Sequence, residues 1–141
     1  MSTYKFALLG LLGLGLLLPV RADEGVPSFK KSKDKESKEF VGKVFENVVK
    51  AARLKSKNYK VTKYEYVNVK DKPNRKELHI TGTWDGALVS KNIETNVTVK
   101  IDTSDKDAWE VLSIDYKDNL KTSALNPNRT KIDELVKTFN K

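Results

Sequence analysis

Cysteine is absent from the 141 residues, so this chain can build no disulfide framework, no thiol nucleophile and no cysteine-based zinc site. Histidine occurs once, at position 79, which excludes a histidine-rich metal centre. Glycine and proline number only 7 and 4, far below what a collagen-like repeat requires. The longest uncharged apolar run, 6–18, has thirteen residues. A bilayer-spanning helix needs roughly 20. The chain contains no G-x-S-x-G, H-E-x-x-H, Walker A or Rossmann glycine pattern. It also lacks a helix-turn-helix, zinc-finger or RNA-binding signature, so nucleic acid is not an expected partner. With 38% hydrophobic and 33% charged residues it is neither multispanning nor fully disordered, and the length fits one domain.

The first 22 residues form a separate compositional unit. Lys5 precedes the apolar run, and Pro19-Val20-Arg21-Ala22 places Val20 and Ala22 three residues and one residue before the next bond. This three-part pattern predicts a secretory signal peptide cleaved after Ala22. The expected location is secreted or periplasmic, with no transmembrane segment after cleavage. No cysteine follows the apolar run, which excludes a lipoprotein anchor. Asn96 and Asn128 head N-x-[ST] sequons, which matter only in a eukaryotic secretory pathway.

The net charge of the whole chain is +8. Removing Lys5 and Arg21 leaves 25 basic side chains against 19 acidic ones, net +6. The excess is densest at Lys30, Lys31, Lys33, Lys35 and Lys38, a segment that would attract an anionic surface or polymer. Residues 23–36 lack apolar periodicity and read as a flexible, lysine-rich linker.

Beyond it, 37–141 reads as one domain. Phe40, Val41, Val44, Phe45, Val48, Val49 and Ala52 recur three and four apart, predicting an amphipathic helix that starts at Ser37 and ends near Leu54. Gly42 weakens it by roughly 1 kcal/mol relative to alanine and suggests a close crossing. The period then changes to two over 59–69, with a phase slip at Thr62-Lys63 that predicts a β-bulge. A polar turn around Pro73, a strand through Leu78, Ile80 and Trp84, a cleanly alternating strand over 93–102, and a fourth strand over 109–116 follow. Ile132, Leu135, Val136 and Phe139 define a last short helix, for which Thr130 and Asp133 resemble a capping box. The expected fold class is α+β. One long N-terminal helix packs across a four-stranded antiparallel meander sheet, and a short C-terminal helix follows. The expected core is Phe40, Val44, Phe45, Val48, Leu78, Ile80, Val97, Val99, Leu112 and Ile114.

This layout, with the final strand Trp109-Glu110-Val111-Leu112-Ser113-Ile114-Asp115-Tyr116, resembles the cystatin-like and NTF2-like architectures over most of 37–116. The match is one of topology and pattern. The cystatin resemblance implies a protease inhibitor whose Gln-x-Val-x-Gly hairpin enters a cysteine-protease cleft. The corresponding hairpin, 69–77, is charged and lacks that motif, although Trp109 follows the last turn much as in a second inhibitory hairpin. The NTF2-like resemblance implies a sheet-lined cone holding aspartate and histidine.

Three groups of residues invite a chemical role. His79 alternates with Leu78 and Ile80, which turns it away from their core and away from general-base work. Asp102, Asp105, Asp107 and Glu110 crowd the third turn, but their spacing does not fit an EF-hand loop, so no metal or cofactor is expected. Tyr64, Tyr66, Trp84 and Trp109 would form an aromatic platform if they lined an open concave face, and a peptide, sugar or apolar molecule would suit it. The sequence therefore points to an exported, non-enzymatic binding or structural domain for a protein, peptide or small-molecule ligand. Its alternatives are a protein that holds anionic surfaces through Lys30–Lys38, a divergent cystatin-type inhibitor, and a small carboxylate-based enzyme.

Overall fold

The computed structural model describes residues 25–87, 90–120 and 126–141, so the leader expected over 1–22 lies outside the described residues. The element order is α1 (Lys38–Ala52), β1 (Lys57–Asn68), β2 (Arg75–Asp85), β3 (Ile93–Asp102), β4 (Glu110–Asp118) and α2 (Arg129–Phe139). The strands form one antiparallel sheet in the order β1-β2-β3-β4, a meander in which every strand pairs with its neighbour in sequence. Both helices lie on the same face. α1 contacts β1 and β2, α2 contacts β4, and the two helices touch each other. The fold is thus α+β, as the periodicities predict.

Ser37 caps α1 through its side chain, which accepts from the Phe40 N–H. The helix ends at Ala52 with Arg53 as its cap, and Leu54 falls outside it. Its buried stripe is Phe40, Val41, Val44, Phe45, Val48, Val49 and Ala52. Opposite them, every second residue of the sheet turns inward, including Leu78, Ile80 and Trp84 from β2 and Ile93, Val97, Val99 and Ile101 from β3. The bulge expected at Thr62 is present, since the β1–β2 register shifts between Val61 and Lys63.

Four local expectations are corrected. Leu112 is 41% exposed, while Val111 and Ile114 are buried. A register shift against β3 between Lys100 and Ile101 makes Leu112 the extra residue of a bulge, so strict alternation across β4 fails there. Asn140 holds that irregular stretch from outside the sheet, donating to the Val111 carbonyl at 2.9 Å and accepting from the Val111 N–H at 2.7 Å. Second, the N-cap of α2 lies two residues earlier than the capping-box reading of Thr130 and Asp133. Asn128 is the N-cap and accepts from the Lys131 N–H, because its own side chain reaches the orphan donor first. Third, Gly42 has open space where a Cβ would sit, and the close crossing is at Gly82 instead.

Fourth, the stretch expected to be a flexible linker is seated on the body from Gly25 onward. Phe29 is fully buried, edge-on to Phe40 at 5.0 Å and to Phe139 at 5.4 Å, and its N–H donates to the Phe139 carbonyl. One aromatic inserted between two helices is enough to anchor a segment whose remaining residues are polar. The reading by composition averaged over that single apolar side chain.

Candidate functional site

The aromatic residues share the inward face of the sheet without forming an open platform. Tyr64 donates its hydroxyl to the Glu36 carbonyl and Tyr66 donates to the Lys35 carbonyl, so the N-terminal segment lies across both. Trp109 meets Tyr66 edge-on at 5.7 Å, and the Lys35 ammonium stands 5.3 Å from the Trp109 ring centroid. Burial, then the nearby Glu36 charge, pushes the Tyr66 phenol well above its ordinary value. Trp84 is apart from these three, buried at 2% exposure, with its indole N–H donating to the Thr95 hydroxyl at 2.7 Å.

The lysines divide in the same way. Lys30, Lys31, Lys33 and Lys38 are exposed. Lys35 is buried, and its ammonium donates to the Ser32 carbonyl and covers Trp109, so it is not a free contact for an anionic surface. His79 is exposed on the outer face of the sheet, with Nε2 2.8 Å from a Glu77 carboxylate oxygen. At the third turn, Asp102 accepts from the Ser104 N–H and Asp105 from the Asp107 N–H, which makes them turn-stabilising groups. Among the described residues, no three His, Cys, Asp or Glu side chains come together as metal ligands.

The residues that do converge are ones the sequence did not single out, apart from Trp84. Where α1 ends, β2 ends and α2 begins, a cavity of about 620 Å³ opens. Small-molecule sites run about 300–1,000 Å³. Trp84, Ala51, Ala52, Gly86 and Leu120 supply its apolar lining. Leu54 stands at its mouth and is 83% exposed, the most exposed large hydrophobic side chain among the described residues. Asn128 joins α2 to α1 behind the cavity, its N–H donating to the Ala52 carbonyl at 3.1 Å. Among the described residues, the ionisable groups lining the cavity are all basic, namely Lys50, Arg53, Lys55 and Lys131.

Two of these cations have carboxylate partners. Lys50 pairs with Glu46 one turn earlier at 2.7 Å, and that hydrogen bond raises its pKa despite partial burial. Arg53 makes a two-pronged contact with Asp118, Nε to Oδ2 at 2.9 Å and Nη2 to Oδ1 at 3.0 Å, with side chains 9% and 2% exposed. Tyr116 donates to Asp118 at 2.6 Å and the Leu120 N–H donates at 3.2 Å. Burial opposes the charge on Asp118. The hydrogen bonds from Arg53, Tyr116 and Leu120 outweigh it and hold the carboxyl below its ordinary value. For Tyr116 burial and the same carboxylate act together, pushing the phenol up. This network fixes the C-terminus of α1 to the end of β4, and two of its members, Arg53 and Leu120, line the cavity. Of the lining residues, only Trp84 is singled out by the sequence; Leu54, an apolar residue between Arg53 and Lys55 just past the helical stripe, is the sequence feature that could have pointed to the rest.

Compared with known protein families, curated proteins and solved structures, the chain matches none.

Proposed function

We propose that this protein is an exported, non-enzymatic binding domain, of cystatin-like or NTF2-like shape, that takes a small ligand with an apolar part into the cavity beside Trp84. The cavity carries the reading, because it combines concavity, an apolar lining and a few polar groups at its mouth. Binding in place of catalysis is supported by the state of the ionisable groups. Asp118, the carboxylate that holds the lining residue Arg53, is committed to Arg53 and Tyr116, and His79 is exposed on the outer face of the sheet. Export is supported by the leader pattern alone. Among the described residues, no helix is long and apolar enough to cross a membrane.

Nuclear magnetic resonance tests the binding reading directly. The Trp84 indole N–H has its own fixed partner, so its resonance reports on the cavity floor. A neutral amphiphile such as dodecyl maltoside, added below its micelle concentration, is expected to shift that resonance in the parent protein. In Ala87→Trp, which narrows the mouth, the shift is expected to vanish. Equal shifts in both proteins would end the assignment of the site. For export, the intact mass of protein recovered outside the cytoplasm is expected to begin at Asp23.

A second reading, attachment to an anionic surface, is favoured by one observation. Phe29 pins the basic segment while Lys30, Lys31, Lys33 and Lys38 stay exposed, so the charges are presented from a fixed base. Deleting the segment would also remove Phe29 from the core, so charge reversal at Lys30, Lys31 and Lys33 is the clean test. Heparin retention that survives reversal rules this reading out.

A further inference from the structure

Resting on the cavity as the binding site, we infer that its ligand is a single-chain anionic amphiphile, with the apolar chain against Trp84 and the acidic head group between Lys55 and Lys131. Four observations converge on this class.

The charged side chains lining the cavity are of one sign, with no carboxylate among the described lining residues. Lys50 and Arg53 are engaged with Glu46 and Asp118. Among the described residues, Lys55 and Lys131 have no ion-pair partner, so they are the two cations left to face a head group. The first turn of α2, which lines the same rim through Asn128 and Lys131, contains no acidic residue to offset its positive helix end. Finally, Leu54 lies beside Lys55 at 83% exposure, an apolar step leading from solvent into the lining.

These features select on both ends of a ligand. A neutral apolar molecule would satisfy the lining and leave two lysines uncompensated by the ligand. A small inorganic anion would meet the lysines and leave the lining wet. A cationic amphiphile would bring like charges together at the rim. An amphiphile with a carboxylate or phosphate head satisfies the apolar lining and the basic rim at once.

Titration calorimetry with matched dodecyl chains below their micelle concentrations tests this. Dodecanoate and dodecyl phosphate are the anionic arms, dodecyl maltoside the neutral one and dodecyltrimethylammonium the cationic one. Both or either of the anions are expected to bind roughly tenfold more tightly than the neutral chain, the size that two exposed lysine contacts supply. The preferred anion identifies a fatty-acid or a phospholipid-type source. Added salt is expected to erode the preference. In Lys55→Glu/Lys131→Glu, two exposed changes, the roughly tenfold ratio of anionic to neutral affinity is expected to fall to about one or below. Equal affinity for neutral and anionic chains, unaltered by the double reversal, would overturn the ligand class and leave the cavity reading standing. Absence of heat for every chain, with a silent Trp84 resonance, would overturn both.

Discussion

Gly42 and Gly82 set up a stability experiment in which two identical substitutions have opposite signs. At Gly82 in β2, a Cβ would stand 2.5 Å from the Lys60 carbonyl oxygen and 2.7 and 3.0 Å from two ring carbons of Phe45. Neither neighbour can give way cheaply. Lys60 belongs to the paired backbone of β1, and Phe45 is fully buried beneath α1. Alanine there must either spread the β1–β2 pair or lift the helix, and overpacking of this kind costs about 1–3 kcal/mol or more. At Gly42, inside α1, a Cβ meets nothing within 4 Å. There only the intrinsic preference acts, and alanine is favoured by about 1 kcal/mol in a helix interior. The expected gap between Gly82→Ala and Gly42→Ala is therefore about 2–4 kcal/mol, with the parent protein between them. Urea unfolding followed by far-ultraviolet circular dichroism measures it, and an unchanged slope shows that the midpoints report stability and not a change in the surface exposed on unfolding. Should Gly82→Ala prove as stable as the parent, the claim that Phe45 and β1 close tightly on that glycine is wrong.

Further predictions concern the N-terminal segment and the buried polar groups. Phe29→Ala is expected to lower stability by about 3–5 kcal/mol, as a fully buried phenylalanine should, and to raise proteolysis between Gly25 and Ser37; a surface-like loss below about 1 kcal/mol would return the segment to the status of a linker. Asp118→Ala is expected to cost about 3 kcal/mol at neutral pH by stranding the Arg53 charge. Because the folded-state pKa of Asp118 is depressed, the stability it contributes is fully present above the ordinary carboxyl value of 3.8 and is lost as the pH falls through the lower folded value. The difference between parent and variant should accordingly narrow toward acid, which unfolding curves at several pH values will show. For Tyr66 and Tyr116 the sign is reversed. Their raised phenols contribute stability that is complete below the ordinary value of 10.0 and declines as the pH rises above it, so phenolate absorbance from these two should emerge only with alkaline unfolding.

Local information decided the elements. The stripe from Phe40 to Ala52 is long enough for period 3.6 to be unambiguous, and the alternation from Ile93 to Ile101 is uninterrupted, so a helix and a strand follow from the spacing of side chains on a repeating backbone. Short polar turns between strands then leave the antiparallel meander as the simple connection, and the apolar face of the sheet requires a helical cover. Nine of the ten side chains expected in the core are buried, and the exception, Leu112, sits where a bulge interrupts the alternation.

The site was decided by tertiary structure, because it is assembled from chain ends. The cavity draws on the last residues of α1, the end of β2, Leu120 and the start of α2, positions that no periodicity groups together. Arg53 and Asp118 are 65 residues apart in sequence and become partners only when the helix is laid against the final strand. Phe29 likewise has no patterned neighbours, and its burial depends on α1 and α2 both being in place to receive it. Periodicity reports which face of an element is apolar. It carries no information on where the ends of several elements meet, and that is where this protein places its cavity.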